Sequence, residues 1–242
     1  MAALEAVLFD YGDTLFRFRY DERTHAAALA GLLDELGRAD VSADALFVEF
    51  DQRLGPGLDA RGEHGELDYL ALVRDALAAV GVVVDEQALL RAMRVEHRGW
   101  DRNRELHPDS LQLLAAVRER GLRVGMVSNV FDIPELMHED LALMGLTDLI
   151  DAAVFSSELG VRKPHPAVYL HVLELLGVAP AAALFVGDRV REDVAGPAAL
   201  GMRTCLARYY RNDGGDQRLA DYRIDAPLEL LPICDQLLAA RG

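Results

Sequence analysis

The stretch Leu4-Glu5-Ala6-Val7-Leu8-Phe9-Asp10-Tyr11-Gly12-Asp13-Thr14-Leu15-Phe16 decides how the rest of the chain is read. Leu4 to Phe9 is a nearly continuous apolar run, the pattern of a strand buried on both faces in a parallel sheet. Asp10 follows it directly, and a glycine-containing loop comes next. A carboxylate at the carboxyl end of a buried strand stands where open α/β sheets bind ligands. Alone, such an aspartate reads equally as a turn or capping residue. Three later stretches repeat the arrangement and favour a site.

Working outward, the chain after His107 alternates helix and strand. Pro108 opens a helix as its first residue, Leu111, Leu114 and Ala115 form the inner face, and Gly121 ends it. Leu122 to Val127 is a strand that runs into Ser128-Asn129. Pro134 and Gly145 bracket the next helix, and Ala152 to Phe155 is a strand. Pro166 and Gly177 bracket a helix with Tyr169, Val172, Leu173 and Leu176 on one face. Ala182 to Val186 is a strand leading into Gly187-Asp188. A short helix ends at Gly201, before the apolar run Met202 to Leu206. A polar loop at 212–216, a strand near Tyr222 to Ile224 and a helix after Pro227 follow. This alternation predicts an α/β fold, a Rossmann-like parallel sheet with helices on both faces.

Residues 17–102 read differently, as helices with no strand between them. Leu29, Leu32, Leu33 and Leu36 recur at helical spacing before Gly37. Leu46, Phe50 and Leu54 form a second stripe, and Leu70, Val73, Leu77 and Val80 a third, closed by Gly81. Leu89 and Met93 mark a fourth helix, with Asp85 as its N-cap. The segment from Gly55 to Glu66 reads as a Gly-rich charged loop. Within it, Gly55-Pro56-Gly57-Leu58-Asp59-Ala60 matches a dinucleotide fingerprint in letters only, because it follows a helix and not a strand. The expected organisation is an α/β core of residues 1–16 and 103–242 interrupted by a small all-helical domain, 17–102.

Composition narrows the function classes. Half of the 242 residues are hydrophobic, enough for a sizeable core. The net charge of −15 and pI near 4.8 argue against nucleic-acid and anionic-membrane binding, which need a basic surface. Any phosphate site must be made locally positive by a metal, a lysine or helix N-termini. Cys205 and Cys234 lie in apolar contexts without a C-x-x-C pair and read as packing residues of a reducing compartment. With no signal-peptide pattern and no apolar run of membrane-span length, the expectation is a cytoplasmic protein, monomeric or homodimeric.

Four stretches carry chemistry: Asp10 with Gly12, Asp13 and Thr14; Ser128-Asn129; Lys163 in Arg162-Lys163-Pro164-His165-Pro166; and Gly187-Asp188, with Asp193 five residues beyond Asp188. Asp10 and Asp188 are hard oxygen ligands suited to Mg²⁺. A hydroxyl and a lysine supply hydrogen bonds and positive charge to a transferring phosphoryl group. A free carboxylate can attack that group.

In this order and spacing the chain resembles the haloacid dehalogenase-like hydrolase superfamily over nearly its whole length. The family pattern is D-x-D-x-T after the first strand, Ser or Thr after the second, a Lys commonly followed by Pro, and G-D-x(3,4)-D. The helical insert resembles the family's C1-type cap. The resemblance implies a small phosphorylated substrate and Mg²⁺ as cofactor. It implies Asp10 as nucleophile and metal ligand, the Gly12 carbonyl and Asp188 as further ligands, and Asp193 as support for the metal or the lysine. It also implies that Ser128 and Asn129 hold the phosphoryl oxygens, that Lys163 neutralises charge, and that Thr14 positions the loop. Asp193 reads equally as a helix N-cap, His165 as an ordinary loop residue, and Trp100 as a packing residue near the junction of insert and core.

One position departs from the pattern. Family phosphatases carry an acid/base aspartate two residues after the nucleophile, and here that residue is Gly12, followed by Asp13. Losing a positioned acid typically costs ~10²–10⁴-fold, most for alkyl phosphates. Asp13 could take the role, because the glycine makes the loop permissive. Otherwise the substrate has a good leaving group or an acid comes from substrate or cap, or the protein is a weakly active or non-catalytic phosphate- and Mg²⁺-binding relative. A 2-haloacid dehalogenase is the alternative enzyme class, although such enzymes characteristically have Tyr at the Gly12 position and usually lack a residue like Asp188. Arg17, Arg19, Arg61 and His64, on the crossing into the insert or its Gly-rich loop, are candidates to meet an anionic leaving group. Arg17 and Arg61 are taken as substrate-binding; the plainer reading of all four is solvated surface charge.

Overall fold

The computed structural model describes residues 2–239; Met1 and 240–242, assigned above to the core segments, lie outside them. In chain order the elements begin with strands β1 (Ala6–Phe9) and β2 (Phe16–Phe18). Four helices follow: α1 (Glu22–Glu35), α2 (Ala43–Ala60), α3 (Tyr69–Ala79) and α4 (Glu86–Gly99). Next come β3 (Arg104–Leu106), α5 (Ser110–Glu119), β4 (Arg123–Ser128), α6 (Pro134–Leu143), β5 (Ala152–Phe155), α7 (Ser156–Leu159), α8 (Pro166–Leu176) and β6 (Ala183–Gly187). After a π-helical turn at Val190–Ala195 come α9 (Gly196–Ala199), β7 (Arg203–Ala207), β8 (Tyr222–Ile224) and α10 (Leu230–Ala239).

Six strands form one parallel sheet in the order β5-β4-β1-β6-β7-β8. The opening strand lies inside it, as its apolar run predicts, with every residue buried. Alternate side chains feed two cores. Val7 and Phe9 join Val124, Met126 and Val186 under α5 and α10, while Ala6 and Leu8 join Phe185 and the face of α8 that includes Tyr169 and Val172. Gly125 is required by this packing, since a Cβ there would collide with Leu8, Leu176 and Val172. Cys205 and Cys234 are free and buried in the first core. Phe9 pairs with Met126 on one side and Val186 on the other, so Asp10, Ser128 and Asp188 emerge at one edge of the sheet.

Helices α1 to α4 start on Asp21, Ser42, Asp68 and Asp85, whose side chains each accept from an amide three residues on. They share a core of Leu29, Leu32, Phe50, Val73, Leu77, Leu89 and Met93, which extends to Ile133 and Leu136 at the start of α6. A buried ionic cluster also ties α4 to α6. His97 Nδ1 lies 2.6 Å from Asp132 Oδ2 and its Nε2 2.9 Å from Asp140 Oδ2, while Arg98 Nη1 donates to Asp140 Oδ1 at 2.7 Å. Among the described residues no helix is long and apolar enough to cross a membrane.

The sequence reading is corrected in four places. Residues 17–18 are strand, not helix: β2 pairs antiparallel with β3, so the two crossings into the helical segment satisfy each other's backbone. A strand of three residues is too short to show a period. Helix α2 runs on through Gly55 to Ala60 with Pro56 inside it, because Leu54 and Leu58 pack on the shared core while Pro56 faces solvent. Helix α5 starts at Ser110, after a turn in which Ser110 N donates to His107 O, and not at Pro108. The short helix α7 carries no periodic signal and was not anticipated.

Candidate active site

The four chemical stretches meet at the carboxyl edge of the sheet. Asp10 continues the β1 ladder, its amide donating to Val186 O at 2.8 Å, and the residue is 7 % exposed. Lys163 Nζ donates to Asp10 Oδ1 at 2.6 Å and to Asp193 Oδ1 at 2.7 Å, and the lysine is 2 % exposed. Its backbone is clamped by Asn129, whose Oδ1 accepts from Lys163 N at 2.7 Å and whose Nδ2 donates to Lys163 O at 3.1 Å. The Asn129 amide, expected on phosphoryl oxygens, is thus engaged in holding the lysine segment. Ser128 is buried beside it at the end of β4 and lines the cavity above Asp10.

Asp193 projects from the π-helical turn after β6. Its Oδ2 accepts from Arg189 N at 2.9 Å, and the carboxylate lies so close to Gly187 that any Cβ there would overlap it. This is the physical need for glycine before Asp188. Asp188 differs from its neighbours: it is 1 % exposed, and its Oδ1 has no hydrogen-bond partner. The cluster is short of positive charge. Burial, opposed by Lys163 and reinforced by Asp193, pushes Asp10 up to about 6. Burial and then the charges of Asp10 and Asp193 push Asp188 up to about 8. Burial works against the lysine's charge, but Asp10 and Asp193 overcome it and hold Lys163 above its ordinary value.

Carboxylate oxygens of Asp10, Asp188 and Asp193 come within 4.8 Å of one another. An all-oxygen donor set with a bare buried carboxylate oxygen fits a hard divalent cation. Asp193 has a short donor on each oxygen, whereas Asp10 Oδ2 has only a 3.4 Å contact with Thr14 and Asp188 Oδ1 has none, so these two oxygens are the freer ligands. Gly12 lines the same cavity.

The loop after β1 is braced from below. Tyr11 O accepts from Leu15 N at 2.9 Å, Thr14 is fully buried with Oγ1 3.4 Å from Asp10 Oδ2, and Tyr209 Oη donates to Thr14 O at 2.7 Å. Asp13 takes a left-handed backbone conformation, φ 57°, which non-glycine residues rarely adopt. Its carboxylate accepts from Arg211 Nη2 at 2.6 Å. Arg211 and Tyr209 carry no motif in the sequence, where only 212–216 of the segment after β7 reads as polar loop.

A cavity of about 870 Å³ opens above Asp10, bounded on the helical side by Tyr20, His25, Phe50, Tyr69 and Trp100. Arg17 and Arg61 do not line it. Arg17 lies over the Tyr210 ring at 5.5 Å, and Arg61 pairs with Glu66 at 3.2 Å, which in turn accepts from Ser156 Oγ at 2.5 Å. Both side chains brace loops. Arg19 pairs with Glu105 at 3.6 Å, and the rings of His64 and His165 meet edge to face at 5.6 Å.

The model of haloacid dehalogenase-like hydrolases matches residues 4–201. A glyceraldehyde 3-phosphate phosphatase of Methanopyrus kandleri is 26 % identical over 97 % of this chain and 98 % of its own. A phosphoserine phosphatase of Thermus thermophilus is 29 % identical over 83 % and 87 %. The crystal structure of a 2-haloacid dehalogenase from Pseudomonas syringae superposes with a TM-score of 0.71 over 99 % of this chain and 100 % of that one, at 24 % identity, a likeness of fold. With a match that spans both Asp10 and Asp193, the chain belongs to the haloacid dehalogenase-like hydrolase family.

Proposed function

We propose that the protein is a Mg²⁺-dependent phosphatase of a small phosphorylated metabolite, working through an aspartyl-phosphate on Asp10. The observation that carries the reading is the buried set of Asp10, Asp188, Asp193 and Lys163, with Asp188 Oδ1 unpartnered. The names of the two curated relatives support a small phosphate ester as substrate.

Asp10 and Asp188 would hold the metal with the Gly12 carbonyl, Asp193 supporting them. The bound cation would supply positive charge to the phosphoryl oxygens. An Asp10 oxygen attacks phosphorus, forming the Asp10 O–P bond as the ester P–O bond breaks, and the leaving alkoxide takes a proton from solvent water. Lys163 offsets the charge on the nucleophile and the phosphoryl group. Ser128 hydrogen-bonds a phosphoryl oxygen, and Thr14 and Asn129 hold the nucleophile loop and the lysine in place. Water then cleaves the acyl phosphate, regenerating Asp10 and releasing phosphate. Residues 17–102 act as a C1-type cap that covers the cavity and limits water during the transfer.

The test is phosphate release from an aryl and an alkyl phosphate, with Mg²⁺ or excess EDTA, and with Asp10→Asn as control. Turnover that needs both metal and Asp10 is expected. Chloride release from a 2-chloro acid in EDTA, without phosphate release, would replace this reading by dehalogenation.

A further inference from the structure

The helical side of the cavity above Asp10 is an aromatic box with a carboxylate in it. The rings form one contact network, with centroids 5.7 Å apart for Tyr20–Trp100, 5.5 Å for His25–Trp100, 5.0 Å for His25–Phe50 and 5.9 Å for Phe50–Tyr69. Glu96 on α4 lines the same side at 2 % exposure, its Oε1 accepting from Trp100 Nε1 at 2.7 Å. Burial and the charge of Asp132 push Glu96 up to about 7, outweighing the opposing Trp100 hydrogen bond and the charges of His97 and Arg104.

The charges that line the box are mostly acidic, with Arg104 the arginine among them. Glu22, Asp51 and Asp132 line it with Glu96. Of the cations on this side, Arg104 is paired with Asp140 at 3.0 Å and Asp101 at 3.3 Å, His97 is paired with Asp132 and Asp140, and burial lowers the pKa of His25, favouring its neutral form. A leaving group bearing a carboxylate would be desolvated beside Glu96 with Arg104 already paired to other carboxylates, which is costly. A cation meets ring faces, which attract it, and a buried carboxylate that gains from it.

We infer that the box binds a cationic amine on the leaving group, so that the substrate is the phosphate monoester of an amino alcohol that carries no carboxylate. The inference rests on the phosphatase reading for the reaction, and on the box alone for the binding.

Two measurements test it with the full chain and Mg²⁺. The first compares kcat/KM for phosphocholine and for its neutral isostere, dimethylbutyl phosphate, in which carbon replaces nitrogen, with an aryl phosphate as reference. The cationic ester is expected to be preferred by about tenfold or more, and the ratio to fall towards one in Glu96→Gln. The second follows the emission of Trp100, the chain's single tryptophan. Choline should change it saturably, dimethylbutanol should not, and Glu96→Gln should abolish the response. Aryl turnover with no preference for the cation and no choline response overturns the inference and leaves the phosphatase reading standing. A preference that survives Glu96→Gln overturns it too. A choline response that depends on Glu96, without turnover of any ester, supports the box and overturns the phosphatase reading.

Discussion

Arg211 Nη2 donates to Asp13 Oδ2 at 2.6 Å, while Nε of the same guanidinium stands 2.5 Å from Asp188 Oδ2. The arginine therefore ties the loop after β1 to the carboxylate at the end of β6. In this pairing Asp13 is an acceptor, and its role is to brace the site. Asp13→Asn is expected to keep turnover of an alkyl phosphate within about tenfold of the parent, far less than the ~10²–10⁴ lost with a positioned acid. Steady-state kcat on an alkyl and an aryl ester decides the matter. A hundredfold loss confined to the alkyl ester would make Asp13 the missing acid.

Lys163 is the cation inserted between Asp10 and Asp193. Lys163→Met leaves two buried carboxylates facing each other, and breaking such a pair costs about 3–5 kcal/mol. Asp10 can relieve this by taking a proton. Its folded pKa is already raised to about 6 from 3.8, so its stability contribution falls as pH rises through that window. Without the lysine the folded pKa rises further and the fall extends to higher pH. Urea unfolding in EDTA is thus expected to show the variant close to the parent at pH 5 and well below it at pH 8. A difference independent of pH would mean that the lysine matters through packing alone.

The fold was legible because its decisive signals are local. Leu4 to Phe9 announces a buried strand, and Pro134, Gly145, Pro166 and Gly177 bracket helices at the positions observed. The β2–β3 ribbon was not legible, since three-residue strands have no period and are made by pairing across the whole insert. The Gly-rich, charged segment from Gly55 misled for a related reason: packing of Leu54 and Leu58 overrides its loop-like composition. In the site, Asp10, Lys163, Asp188 and Asp193 stand in motifs, and the chain folds them together. Arg211, Tyr209 and Glu96 stand in none. Arg211 and Glu96 reach the cavity from the segment after β7 and from α4, and Tyr209 braces Thr14, placements that only tertiary structure reveals.

The unpartnered Asp188 Oδ1 makes metal binding measurable without catalysis. A ligand at a hundred times its Kd stabilises the native state by about 2.7 kcal/mol, which for a chain of this size is roughly 5–10 °C in Tm. Saturating Mg²⁺ is expected to give a rise of that order, and Asp188→Asn to remove most of it. An equal rise in the variant would place the cation elsewhere.

Glu96 gives a pH dependence separate from the Asp10 cluster. Its folded pKa is about 7 against an ordinary 4.5, raised first by burial and then by Asp132. Between these values the folded state holds a proton that the unfolded state has lost. Stability therefore falls as pH rises from about 4.5 through about 7. At 1.36 kcal/mol per unit, the full loss is about 3 kcal/mol. Asp10 and Asp188 titrate in the same direction, so the parent alone cannot isolate the glutamate. Glu96→Gln removes its share and keeps its shape. The drop in unfolding free energy between pH 5 and pH 8, measured in urea with EDTA, is expected to be smaller in Glu96→Gln by about 1–3 kcal/mol. If the two drops are equal, the Glu96 carboxylate is already ionised at pH 5 and its counter-charge lies within the protein.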